Sequence, residues 1–196
     1  MRKWSHRDCQ SMPWKNGGGS TTELAISPRG STLENFVWRL SSACVESAGP
    51  FSHFAGIDRG LAILSGDGLI LHGCDEHNAP TRVRLDRDTQ PYRFPGELAI
   101  HAELCSGPVL DLNLMTRRDA CDQSMQRLVA GEYHLEAADG LQTLLYCTGG
   151  SATLFADEIL RAGDLVMLEE TGMRFQLKVE EGAILYLMRI TSQLAR

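Results

Sequence analysis

Three blocks of sequence recur in the same order along the 196-residue chain, and that repetition limits the fold more tightly than any local propensity. Residues 63–71 overlay 146–154, with the turn glycines Gly66 and Gly149 coincident between apolar strands. Residues 93–100 overlay 160–167, where Gly96-Glu97 and Gly163-Asp164 each lead into an apolar strand. Residues 107–112 overlay 182–187, a glycine followed by an apolar run in both. The first copy carries an additional charged segment at 73–90, and insertions of that kind belong to surface loops. Many short strands divided by glycine turns, with no strong helix, predict an all-β chain of two related units, each a barrel or a sandwich. The best helical candidate is the short polar stretch 117–128 between the copies.

Period-2 alternation locates the strands. Thr21, Glu23 and Ala25 oppose Thr22, Leu24 and Ile26, while Phe36, Trp38 and Leu40 oppose Val37, Arg39 and Ser41. In 109–115, Leu110, Leu112 and Leu114 share one face, and Asp111, Asn113 and Met115 share the other. Residues 61–64 and 69–72 read as a hairpin around Gly66-Asp67-Gly68. The charged stretch 82–88, with alternate Val83 and Leu85, reads as an edge strand. Loop 49–56 holds Phe51 and Phe54, too much aromatic surface for a segment facing only solvent. The order of glycine turn, strand, then a Gly-Asp or Gly-Glu turn entering an apolar strand resembles the RmlC-like cupin barrel. Two copies imply an all-β bicupin, with the first barrel in 1–118 and the second in 119–196.

Composition enters by exclusion. A net charge of −6 with no lysine/arginine block argues against a binder of nucleic-acid phosphates. No segment reaches the roughly 18 apolar residues of a membrane span, and the N-terminus lacks the apolar run of a secretory signal, so a cytoplasmic protein is expected. The six cysteines are dispersed without a C-x-x-C pair and read as reduced thiols, not as a zinc site or a disulfide framework.

The densest polar motif spans 13–23: Pro13-Trp14-Lys15-Asn16 precedes Gly17-Gly18-Gly19, and Thr21 and Glu23 follow. Three consecutive glycines make a poor strand interior, so they imply a turn needing positive φ or a main chain that must approach something closely. Neither the G-x-G-x-x-G spacing nor a P-loop lysine is present, which sets nucleotide phosphates aside. Together with Trp38-Arg39, Gly49-Pro50-Phe51-Ser52, Gly56-Ile57-Asp58-Arg59 and the 111–115 strand, this motif resembles the HutD/Ves family over nearly the whole chain. The resemblance implies a two-barrel cupin fold. For the HutD branch it also implies an association with bacterial histidine utilisation, where the protein is thought to restrain expression of the catabolic pathway. The Ves branch is linked to stress or cold response.

Enzymatic cupins typically hold a metal with an H-x-H pair, a nearby glutamate and a later histidine. Here His6, His53, His72, His77, His101 and His134 include no such pair. His72 and His77 flank Cys74, Asp75 and Glu76, but in a polar loop that reads as solvated. No metal, no cofactor and no catalytic nucleophile are expected. What remains is a recognition set: Lys15, Arg39 and Arg59 as cations, Asn16 and Asn113 as amides, Thr21 and Ser52 as hydroxyls, the N–H groups of Gly17, Gly18 and Gly19, the acids Glu23 and Asp111, and Trp38 and His101. Cations and free N–H groups suit a carboxylate, and an amide with an acid suits the other end of an amino-acid-like molecule. The expected partner is therefore a small carboxylate or acyl-amino acid, with a homodimer as a further possibility. The resemblance names histidine-pathway acids, N-formylglutamate before urocanate, and a protein that senses or buffers one of them. The alternatives are a metal-free cupin enzyme using Glu23, Asp111 or His101, and an interaction or stress-response protein of the Ves type. In the plainest reading, Arg39 and Arg59 simply pair with Glu23 and Asp111 inside the structure. The site is placed in the first barrel, because strands of the second copy offer few polar groups.

Overall fold

The computed structural model describes residues 1–14, 17–75, 79–155, 158–168, 172 and 174–193. Among them regular structure is all strand apart from a 3-10 turn at His6–Asp8, and no helix is long and apolar enough to cross a membrane. The chain opens with β1 (Arg2–Ser5), β2 (Ser11–Pro13) and β3 (Gly19–Ser27). It continues with β4 (Trp38–Val45), β5 (Gly49–Pro50), β6 (Ile57–Ser65), β7 (Leu69–Cys74), β8 (Pro80–Leu85), β9 (Tyr92–Pro95), β10 (His101–Leu104) and β11 (Val109–Arg117). Then follow β12 (Cys121–Leu128), β13 (Gly131–Glu136), β14 (Leu141–Gly149), β15 (Ser151–Leu154), β16 (Glu158–Arg161), β17 (Asp164–Leu168), β18 (Arg174–Val179) and β19 (Ile184–Ser192).

Contacts divide the chain into one unit of Gln10–Asp119 and another of Met1–Cys9 with Ala120–Arg196. The first unit has sheets β2-β3-β4-β11-β6-β9 and β5-β10-β7-β8, and the second has β1-β17-β14-β19-β12 and β13-β18-β15-β16. The pairing β4-β11-β6-β9 thus recurs as β12-β19-β14-β17, and β5-β10-β7-β8 recurs as β13-β18-β15-β16. The internal repeat is therefore a repeat of strand pairing, not only of composition.

Pairing also corrects several expectations. β9 and β17 hold equivalent places, so residues 92–95 and not 98–100 are the counterpart of β17; the longer charged insertion in the first copy displaces the middle block by one strand. The polar stretch 117–128 is no helix: β12 runs antiparallel to β19 and occupies the place of β4. Residues 1–9 do not join the first unit, because β1 pairs with the edge strand β17, Arg2 opposite Met167 through Ser5 opposite Asp164. Finally, the sheets stop short of closing into barrels, and within each unit two sheets share an apolar core. In the first unit Leu61, Ile63, Leu69, Leu71 and Phe94 form that core, and in the second Leu145, Leu154, Leu177 and Leu185 do so. Each such side chain, fully buried, is worth roughly 1.5–3 kcal/mol. β8 is the expected charged edge.

Polar clamps reinforce the first unit. Arg93 and Arg118 donate to Asp58 at 2.7 and 2.8 Å, and Arg118 also grips both oxygens of Glu97. Burial works against ionisation of Asp58, yet those two guanidiniums hold its carboxyl below the usual range.

Candidate functional site

Alternation along β4 and β11 builds a polar wall inside the first unit. Residues of one parity face it: Arg39, Ser41 and Ala43 from β4, and Asp111, Asn113 and Met115 from β11. Register stacks them in rows. Met115 lies opposite Arg39 on β4 and Arg59 on β6, Asn113 lies between Ser41 and Leu61, and Asp111 lies between Ala43 and Ile63. Adjacent strands are about 5 Å apart, so the two arginine backbones stand about 10 Å from each other across Met115. Two bulges flank the wall, one in β3–β4 between Glu23 and Ala25 and one in β6–β11 beside Asp111. Bulges re-aim side chains, and they recur next to binding sites.

The wall lines a cavity of about 510 Å³, within the range of small-molecule sites. Phe51, Ser52 and Phe54 close it from the aromatic loop, Gly18 and Trp14 from the glycine motif, and Ala102 from β10. Trp14 donates through Nε1 to Thr21 Oγ1 at 2.7 Å, which fixes both groups at the rim.

The charged groups differ in how they are satisfied. Arg39 pairs with Glu23, Nε to Oε2 at 2.8 Å, and donates to Ser41 Oγ at 3.2 Å. Arg59 is 7% exposed and reaches back over β11, its Nε donating to Asn113 Oδ1 at 3.3 Å. The guanidinium lies 4.8 Å from the Phe51 ring centre and 5.2 Å from that of Phe94. Among the described residues no carboxylate lies within ion-pair distance of it. Burial pulls its pKa down to about 10, against the attraction of Asp111. Asp111 is 4% exposed and accepts the Ala43 N–H on Oδ1 at 3.2 Å. Burial pushes its carboxyl up to about 7, although Arg59 and that N–H favour the ionised form.

A pH dependence follows. The native carboxyl of Asp111 keeps its proton up to about 7, whereas in the unfolded chain it releases it near ~4. The native state binds more protons in that window, so this group's contribution to stability falls as pH rises through it. Asp111→Asn removes the titration. It is expected to exceed the parent by about 1–3 kcal/mol above about pH 7 and to converge with it toward about pH 4. Urea unfolding at both ends of the window measures this, and an equal gap at both would refute it.

Of the residues expected from sequence, Gly18, Thr21, Arg39, Ser52, Arg59, Asp111 and Asn113 line the cavity. Lys15 and Asn16 lie outside the described residues, as do Glu76 and His77. Glu23 sits beside the cavity but is tied to Arg39. Trp38 is on the opposite face of β4 from Arg39, as alternation dictates. His101 is exposed, while its neighbour Ala102 turns inward. Gly17 and Gly19 serve the backbone: Gly17 has φ +70°, and Gly19 crosses close against the Cys44 carbonyl. Trp14, Ser41, Phe51 and Phe54 are cavity residues outside the expected set. The signals for them were the parity of Ser41 with Arg39 and the aromatic density of the loop.

Among the described residues no histidine lines the cavity, and two of the three charged side chains that do are guanidiniums. Among the described residues no three His, Cys, Asp or Glu side chains converge to hold a metal ion, and His72 Nε2 instead meets Glu103 at 2.8 Å on the exposed sheet face. Two guanidiniums with amide and hydroxyl groups beside them are donors that complement an anion.

Comparison with known proteins follows the same lines. The family model described as HutD matches residues 6–187. The chain is 32% identical to protein Ves of Cronobacter sakazakii over 183 residues, covering 91% of this chain and 94% of that protein. It is 40% identical over 111 residues to an uncharacterized 21.2 kDa protein in the hutC 3′ region of Pseudomonas putida, a match covering 56% of this chain and only 54% of that protein. Among solved structures, HutD from Pseudomonas fluorescens SBW25, in a formate condition, superposes with a TM-score of 0.80 at 27% identity, covering 98% of both chains. An oxalate decarboxylase from Lactobacillus farciminis superposes with a TM-score of 0.67 at 7% identity, covering 96% of this chain and 85% of that one, a likeness of cupin fold alone.

Proposed function

The chain belongs to the HutD family, and from that premise we propose that it binds a small carboxylate in the first-unit cavity and senses or buffers an acidic intermediate of histidine utilisation, limiting expression of the pathway. N-formylglutamate is the first choice of ligand and urocanate the second. One observation carries the carboxylate: Arg59 is buried, stacked on aromatic rings and bonded to an amide, yet meets no carboxylate of the described residues. A buried guanidinium without a counterion is costly unless an anion completes it, and its planar fork matches a carboxylate in two parallel bonds. The pathway rests on the family and on the relative named for its place beside hutC.

Binding to the native state alone raises the melting temperature by linkage. N-formyl-L-glutamate or urocanate at about a hundred times its dissociation constant is expected to stabilise the protein by about 2.7 kcal/mol, a rise of roughly 5–10 °C. No shift with either acid overturns the ligand assignment. Asp111, a carboxyl titrating near neutrality in the same cavity, favours a second reading as a metal-free acid–base enzyme. Proton NMR of the incubated ligand separates the two, since a sensor returns it unchanged.

A further inference from the structure

Resting on the carboxylate reading above, we infer that Asp111 meets the ligand as a carboxylic acid, so that the cavity takes up an anion and a proton together. Asp111 stands in the middle of the sheet, between Ala43 and Ile63, with one oxygen on the Ala43 N–H and no cation of the described residues in ion-pair contact. Arg59 reaches over Asn113 toward it, so an anion seated on the guanidinium lies over Asn113, next to the Asp111 carboxyl. Two carboxylates sharing a poorly solvated site cannot both stay ionised, and a single proton between them removes the repulsion. The ligand oxygen then accepts a hydrogen bond from the acid instead of facing a second negative charge.

The other groups facing Asp111 do not alter this. From β6 comes Arg59, and from β4 Arg39, whose charge is matched by Glu23. Near the end of β4 lie Cys44 and Glu46, and the Cys44 thiol is pushed up by burial first and then by Glu46 and Asp111, so it stays neutral. β3 contributes Thr21, which carries no charge. The reading also specifies the ligand. At the Asp111 end it presents an acceptor oxygen of an anion, not an N–H or O–H donor, so acyl-amino acids bind with a carboxylate directed between Arg59 and Asp111.

Calorimetric titration of the full chain with N-formyl-L-glutamate, and with glutarate as a probe lacking the amide, tests this. Neither probe titrates near neutrality. In two buffers of different ionisation heat at about pH 7, uptake of roughly half a proton per ligand is expected, and the dissociation constant is expected to weaken about tenfold between about pH 6 and about pH 8. Asp111→Asn, which donates through its amide but does not titrate, is expected to bind with a flat pH profile. Saturable binding without proton uptake and with the same affinity at both pH values overturns the inference and leaves the carboxylate reading standing. So does a folded Asp111→Asn variant that no longer binds, since Asp111 would then be an ionised acceptor. No binding of either probe by calorimetry or thermal shift overturns both readings.

Discussion

Arg59→Met is expected to abolish the response to carboxylate ligands while leaving the protein folded and as stable as the parent, or more so. Arg59 is held inside the first unit at 7% exposure, and its packing surfaces are the Phe51, Phe54 and Phe94 rings, which a methionine can fill. Replacing buried charge by well-packed apolar volume is often neutral or stabilising, and here no contacting carboxylate of the described residues is orphaned by the change. Asn113 loses one long bond of 3.3 Å. The ligand loses far more: each charge-assisted hydrogen bond is worth about 1.5–3 kcal/mol, so two from one fork amount to a loss of roughly a hundredfold or more in affinity. Arg59→Lys keeps the charge but not the fork and is expected to fall between. Circular-dichroism melts report the fold and calorimetry the affinity. A folded Arg59→Met protein that binds like the parent would sink the reading of Arg59 as the anion anchor, and one that unfolds would show the charge to be structural.

Most of what positions this site is legible in the sequence, because alternation is a strong signal when one face of a strand is polar and the other apolar. Asp111, Asn113 and Met115 opposite Leu110, Leu112 and Leu114 is such a case, and the structure turns the polar set into the cavity. The same rule separates Trp38 from Arg39, so a site containing both conflicts with the strand that carries them. The plain pairing of each arginine with an acid holds for Arg39 and Glu23 but not for Arg59, and only coordinates distinguish them. Other features have no local signature. β12 buries a glutamine, Gln123, in place of an apolar residue, which hides its strand period. β1 finds its partner more than 150 residues away, a pairing with no trace in nearby sequence. The cavity's aromatic side comes from a loop whose path depends on contacts such as Phe51 N–H to the Ile100 carbonyl and Phe54 N–H to the Gly96 carbonyl.

Gly19→Ala is expected to be among the most destabilising single-methyl additions in the chain, whereas Gly17→Ala, two residues away, is expected to be mild. A Cβ on Gly19 would overlap the Cys44 carbonyl oxygen and come within 3.2 Å of Trp14 Cε3. The first contact is with backbone, so relief requires β3 and β4 to part where Gly19 opposes Val45. That would strain the Trp14 N–H bond to the Gly19 carbonyl at 2.8 Å and the Glu46 N–H bond to the Gly18 carbonyl at 3.0 Å. Overpacking against an immobile neighbour together with broken ladder bonds places the loss at about 3–5 kcal/mol, and the melting temperature about 10 °C or more lower. Gly17 has φ +70° with nothing within 4 Å of the added carbon, so alanine there costs about 1–2 kcal/mol of left-handed backbone strain. The consequence reaches the cavity, since Gly18 and Thr21 line it and Thr21 holds the Trp14 indole. A folded Gly19→Ala protein is therefore expected to bind carboxylates more weakly, and a folded Gly17→Ala protein to bind as the parent does. Thermal melts of the two variants side by side decide between a glycine run kept for its turn and one kept for its passage against β4: equal losses would leave only the turn.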